Sequence, residues 1–181
     1  MTRIYVDATA LVALGQVGEL TLLDAFEGTI VVPDAVRAEV TTDPARTNLD
    51  RLIDEKPVVS EPVETDWTEA AMDVLDADEL TGDVRVIEGI LAATDSEEDG
   101  TDTEADGEKP AAGLISEDRR LRTVAEGLGA TVTGTFGVVV RAASDDKYLP
   151  TSQAKRIVRR IDSHGLHLTG ELREQAVGAT E

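Results

Sequence analysis

The sequence contains no cysteine. A disulfide framework, a thiolate metal site and a cysteine nucleophile are all excluded by that absence. No apolar run approaches the roughly 20 residues that a membrane-spanning helix needs. The N-terminal apolar stretch is interrupted by Asp7, which argues against a leader peptide. A cytoplasmic protein without membrane contact is the expectation. There is no phosphate-loop lysine motif, "GLGATVTG" lacks the dinucleotide-binding spacing, and no serine sits in a nucleophile elbow. Lysine is scarce as well: Lys56, Lys109, Lys147 and Lys155 are the only four.

Acid is abundant. Asp and Glu number 37 against 17 Lys and Arg, a net charge of -20 over 181 residues. Such a surface repels itself at low ionic strength and is screened in concentrated salt. Abundant acid with little lysine, spread along the whole chain, resembles the proteins of salt-loving archaea, so a halophilic protein is expected. A hydrophobic share of 41% still provides a core. The length fits one domain, residues 1–148, with a helical extension over 149–181 packed on it.

Elements alternate along the chain. "RIYV" reads as a strand, and "ATALVALGQVG" as a helix stopped at Gly18. "ELTLLDAFEG" reads as a short helix closed by Gly28. "TIVVP" is a β-branched strand ended by Pro33, followed by the helix "PDAVRAEV". "ARTNLDRLIDE" is helical, and "PVVSEP" is a short edge strand between prolines. "TDWTEAAMDVLDA" places Trp67, Ala71, Val74 and Leu75 on one helical side. The helix "GDVRVIEGILAA", the strand "AAGLIS", the helix "EDRRLRTVAEGLG" and the strand "ATVTG" follow. Three helices finish the chain: "TFGVVVRAAS", "TSQAKRIVRRIDS" and "GELREQAV". Strands alternating with helices predict an α/β fold, a mainly parallel sheet with helices on both faces.

Ligands of such sheets gather beyond the carboxyl ends of the strands. Asp7 lies there, directly after a strand that reads as buried, and Asp118 lies two residues past "GLIS". A buried carboxylate is costly unless it is paired, so a shared cation accounts for its position. Glu39, late in "PDAVRAEV", and Asp83, opening "GDVRVIEGIL", can join them. Four converging carboxylates repel one another unless a divalent ion sits among them, and all-oxygen donors suit Mg²⁺ or Mn²⁺. Such ions activate water and stabilise a phosphodiester transition state.

The segments "VDATALVAL", "VVPDAVRAEV", "TGDVRVIEGILAA" and "LISEDRRLRTVAEGLG", in this order and spacing, resemble a PIN domain, the fold of many metal-dependent ribonucleases and of toxins in type II toxin–antitoxin pairs. The tail "VTGTFGVVVRAASDDKYLP" resembles a PIN-related archaeal and bacterial subfamily. The resemblance implies a three-layer α/β/α fold, a Mg²⁺- or Mn²⁺-dependent endoribonuclease, RNA as substrate, an antitoxin protein as partner and a homodimer. It implies Asp7, Glu39, Asp83 and Asp118 as catalytic and metal-ligating residues, with the Thr9 hydroxyl supporting them. The third position is usually Glu in the subfamily, so Glu79 and Glu88 compete with Asp83. Glu117 competes in the same way with Asp118. The alternative to the enzyme is a non-catalytic nucleic-acid-binding or regulatory module. A receiver-like phosphorylated domain fits poorly, since the acidic pair and the lysine it needs are missing.

Two side features read as bland. "DSEEDGTDTEAD" places Asp95, Glu97, Asp99, Gly100 and Asp106 at calcium-loop positions, but Asp102 stands where an apolar residue belongs and Lys109-Pro110 replaces the following helix. Residues 95–110 therefore read as an exposed, disordered acidic insertion. His164 and His167 are separated by Gly165 and read as loop residues, not as a metal pair. The basic residues are more informative. In "AKRIVRRI", Ala154, Ile157, Val158 and Ile161 form an apolar stripe, which leaves Lys155, Arg156, Arg159 and Arg160 for phosphate contacts or for pairing with surface acids. Arg119, Arg120 and Arg122, next to Asp118, are nucleic-acid-binding candidates near the cleft.

Overall fold

A computed structural model describes residues 2–60, 62–95, 112–144 and 149–164. Most of the insertion 95–110, His167 and the segment "GELREQAV" lie outside the described residues.

Strand β1 (Arg3–Val6) is central. It pairs in parallel with β2 (Thr29–Val31) on one side and β3 (Ala112–Ile115) on the other. Strand β4 (Thr131–Thr133) extends the sheet beyond β3, also in parallel, giving the order β2-β1-β3-β4. The chain leaves β1 toward β2 and later returns across β1 to β3, so the direction of winding reverses between β1 and β3. The crevice beyond the carboxyl ends of those two strands is the topological switch point, where open α/β sheets bind ligands.

Helices cover both faces. Side chains alternate along β1, so Tyr5 and Ile4 point to opposite sides. On the Tyr5 side lies α5 (Gly82–Asp95), and a Cβ built on its Gly89 would fall 2.4 Å from the Tyr5 ring. Only glycine allows this approach of helix to strand. On the Ile4 side, Gly137 and Val140 of α7 (Thr135–Ser144) share a cavity with Ile4. Helix α1 (Ala8–Gln16) packs against α7 and α3 (Ala45–Glu55). A Cβ on Gly15 would lie 2.9 Å from the Ala45 Cα, and the Asn48 side chain donates to the Gly15 carbonyl at 2.9 Å. Helix α1 stops at Gly18, whose φ of +74° suits a residue without a Cβ.

The remaining helices are α2 (Asp34–Glu39), α4 (Thr68–Leu75), α6 (Arg119–Gly127) and α8 (Thr151–Ser163). The stripe Ala154, Ile157, Val158 and Ile161 of α8 is buried, as its spacing predicts. No helix among the described residues is long and apolar enough to cross a membrane.

Three local expectations need correction. "ELTLLDAFEG" forms a 3-10 helix over Leu20–Ala25. The three-residue period sets Leu20 and Leu23 one above the other, and both are buried. "PVVSEP" contributes a single parallel bridge, Val59 to Val31, in place of a strand. Pro57, two residues before Val59 and in the same bonding register, has no N–H to donate to β2. Val74 is 44% exposed, because α4 turns Ala71 and Leu75, with Met72 partly buried beside them, toward the core instead.

Candidate active site

Asp7 ends β1 and occupies the N-cap position of α1, but its side chain does not cap the helix. It is 2% exposed. Two hydroxyls meet its Oδ2: Thr9 donates at 2.5 Å and Ser116 at 2.8 Å. These charge-assisted bonds offset the desolvation of a buried carboxylate. Each hydroxyl is itself fixed by the loop after β3. The Glu117 N–H donates to Thr9 Oγ1 at 3.0 Å, and the Asp118 N–H donates to Ser116 Oγ at 2.9 Å. The ends of β1 and β3 are thus locked together through Asp7. Ser116 was missed by the sequence reading. Its signal was a small hydroxyl at the strand end, two residues before Asp118.

The other acids arrive on separate elements. Asp118 caps α6, with its Oδ1 accepting from the Leu121 N–H at 2.8 Å. Glu39 ends α2 and reaches the first turn of α5, where its Oε1 accepts from the Gly82 N–H at 2.8 Å. A Cβ at residue 82 would lie 2.5 Å from that oxygen, so glycine opens the contact. Asp83 follows in the same turn of α5 and receives no hydrogen bond from the described residues.

Burial pushes the Asp83 carboxyl up, and the charges of Asp7, Asp118 and Glu39 push it further, while the Arg120 guanidinium opposes them. The result is about 6, against an ordinary 3.8. Asp83 thus feels all three of the other acids. Asp7, Glu39 and Asp118 each have one oxygen held by protein donors, and their second oxygens have no donor among the described residues. Fixed carboxylates with unengaged oxygens, crowded by like charge, match the donor chemistry of a hard divalent cation. Among the described residues, however, no three or more His, Asp or Glu side chains are grouped closely enough to hold a metal ion as they stand.

The raised Asp83 pKa has a consequence for stability. The folded protein holds this proton more tightly than the unfolded chain, so between 3.8 and about 6 it carries more protons. Stability from this group therefore falls as pH rises through that window and is level above it. Without divalent metal, Asp83→Asn is expected to be more stable than the wild type at neutral pH, with the gap closing as pH falls toward 3.8. Denaturation of both proteins across that range checks this; a gap that does not change with pH counts against it.

The competing acids are accounted for otherwise. Glu88 is fully buried and turned to a different partner set. It accepts from Arg85 at 2.7 Å, from the Thr65 N–H at 2.6 Å and hydroxyl at 3.0 Å, and from the Thr68 hydroxyl at 2.8 Å. Burial pushes its carboxyl up, but these hydrogen bonds outweigh burial and hold it below its ordinary value. Glu79 is exposed in the loop before α5. Glu117 turns away to Thr135, where it accepts from both the backbone N–H and the hydroxyl.

The arginines divide. Arg120 donates to the Leu75 carbonyl at the end of α4, while Arg119 is exposed and Arg122 is half-buried. On α8, Arg160 donates to the Val17 carbonyl at 2.7 Å and pairs with Glu19 at 3.5 Å. Arg156 also lies near Glu19, and Arg159 is exposed; Lys155 is half-buried. Val17 and Glu19 follow the far end of α1 from Asp7, roughly 15 Å along the helix axis. The basic side of α8 is therefore distant from the acids.

Residues 3–92, from β1 into α5, match the family model DUF3368, a PIN domain. The matched span includes Asp7, Glu39 and Asp83, and it stops before Asp118. Searches of curated proteins and of solved structures give no match.

Proposed function

Since the chain is a PIN domain-like protein, and so a nuclease-like module, we propose that it is a metal-dependent endoribonuclease hydrolysing RNA phosphodiester bonds. What supports this reading is the PIN-domain match over residues 3–92, together with the placement of Asp7 after β1, Glu39 against the first turn of α5, and Asp118 at the start of α6. In this reading Asp7, Glu39, Asp83 and Asp118 hold Mg²⁺ or Mn²⁺. Held there, such an ion would supply an acidified water and neutralisation of charge on the scissile phosphate.

The chain's own groups prepare for that chemistry. Thr9 and Ser116 fix the Asp7 carboxylate, so it does not have to reorganise during reaction. The Gly82 and Leu121 N–H groups do the same for Glu39 and Asp118. Arg119, exposed directly after Asp118, is the arginine best placed to meet phosphate oxygens, whereas the Arg122 guanidinium lies beside Gly134 and Glu117. The basic side of α8 serves a more distant part of the RNA.

The test is cleavage of a mixed RNA substrate in concentrated salt with Mn²⁺, repeated with EDTA. Cleavage that EDTA abolishes supports the enzyme. A second reading, a non-catalytic RNA-binding or regulatory module, draws on the acids not being grouped closely enough among the described residues to hold a metal ion as they stand. No cleavage, with RNA binding lost on neutralising Arg156 and Arg159, favours that module. In the enzyme reading the chain acts as the toxin of a toxin–antitoxin pair, with an antitoxin protein and a second copy of itself as partners. A small DNA-binding protein encoded immediately upstream supports this; a solitary reading frame counts against it.

A further inference from the structure

The Glu117 carboxylate stands next to the site without facing it. Its Oε1 accepts two bonds from Thr135, the first residue of α7, which is 1% exposed. Gly134 makes room for this: a Cβ there would fall 2.8 Å from Glu117 Oε1 and 3.1 Å from the Arg122 guanidinium. The Glu117 backbone N–H, meanwhile, donates to Thr9 Oγ1, and Thr9 donates to Asp7. The loop 116–118 also carries the Ser116 hydroxyl that meets Asp7 and the Asp118 carboxylate itself.

We infer that Glu117 is a positioning residue: its side chain ties the loop after β3 to the N-terminus of α7 and thereby fixes Thr9, Ser116 and Asp118 around Asp7. The inference rests on the nuclease reading of those acids. A carboxylate accepting two donors at a helix N-terminus makes strong, directional bonds, favoured further by the helix dipole. Helix α7 is a rigid reference, since it packs on α1, α8, β4 and the 3-10 helix. Without the tether, the loop keeps its bonds to β4, Thr9 and Asp7, including the Ser116 N–H to the Thr133 carbonyl at 3.0 Å, but loses its tie to α7.

The test compares Glu117→Ala, Glu117→Gln and Thr135→Val, by RNA cleavage kinetics and by amide hydrogen exchange. Glu117→Ala is expected to lower kcat on the order of tenfold to hundredfold with KM nearly unchanged, since misplaced groups lose rate more than binding. Its Glu117 and Asp118 amides should exchange about tenfold faster or more, because their acceptors are no longer fixed. Glu117→Gln keeps an acceptor oxygen for both Thr135 donors and should restore rate and protection to near wild type. Thr135→Val removes one donor of the two and should fall between. Glu117→Gln as inactive as Asp7→Asn would overturn the inference and make Glu117 a ligand. Glu117→Ala with wild-type rate and exchange would also overturn it. A wild type that cleaves no RNA defeats the nuclease reading instead, and the exchange rates then decide the tether by themselves.

Discussion

Asp7→Asn is expected to abolish Mn²⁺-dependent RNA cleavage while leaving the fold intact. The replacement is nearly isosteric, and its amide oxygen can still accept from Thr9 and Ser116. What disappears is one negative charge of the four proposed to hold the cation. A loss of about 4 kcal/mol of transition-state stabilisation corresponds to about a thousandfold in rate. RNA binding should persist, because the basic groups are untouched. Thermal stability in EDTA should hold or rise, since one repulsive neighbour of Asp83 is gone. The assay belongs in concentrated salt, where the net charge of -20 no longer keeps RNA away. Equal cleavage by mutant and wild type would show that the activity lies elsewhere.

The second large effect is structural. Glu88→Ala removes the carboxylate that neutralises Arg85 and satisfies Thr65 and Thr68. The Glu88 side chain is fully buried and that of Arg85 is 16% exposed, so the remaining cation loses its partner in a poorly solvated place. Breaking such a pair typically costs about 3–5 kcal/mol. The loop before α4 should loosen with it, since Thr65 is held by Glu88. Glu88→Gln keeps an acceptor for the threonines and should recover part of the stability. Because Glu88 faces away from Asp7, folded Glu88→Gln should cleave RNA at close to the wild-type rate. Denaturation curves and cleavage rates together check this. A stable but inactive Glu88→Gln would make Glu88, not Asp83, the third acid of the site.

The main lines of the fold were legible because period and punctuation agreed. Alternating short strands and helices, with Gly18, Gly28 and Pro33 at the breaks, sufficed for the parallel sheet. Asp7 and Asp118 could be placed because a strand end is a position that sequence alone defines. The choice between Asp83 and Glu88 could not be read. Both lie on α5, and only the tertiary partners Thr65 and Thr68 claim Glu88 for the core. The same holds for Glu117, whose partner Thr135 is brought close by folding. Glu39 could be nominated from its helix, but its engagement by the Gly82 N–H depends on the packing of α2 against α5. The basic stripe of α8 was visible, yet its distance from the acids depends on α8 docking at the far end of α1.

The central claim is that Asp7, Glu39, Asp83 and Asp118 share one cation position. Paramagnetic broadening of amide NMR signals by substoichiometric Mn²⁺, in concentrated potassium chloride, tests it most directly. The account predicts selective loss of the signals of these four residues and their immediate neighbours at the ends of β1 and β3, with Asp7→Asn abolishing the effect. Broadening centred on another group of acids, or unchanged in Asp7→Asn, would contradict it.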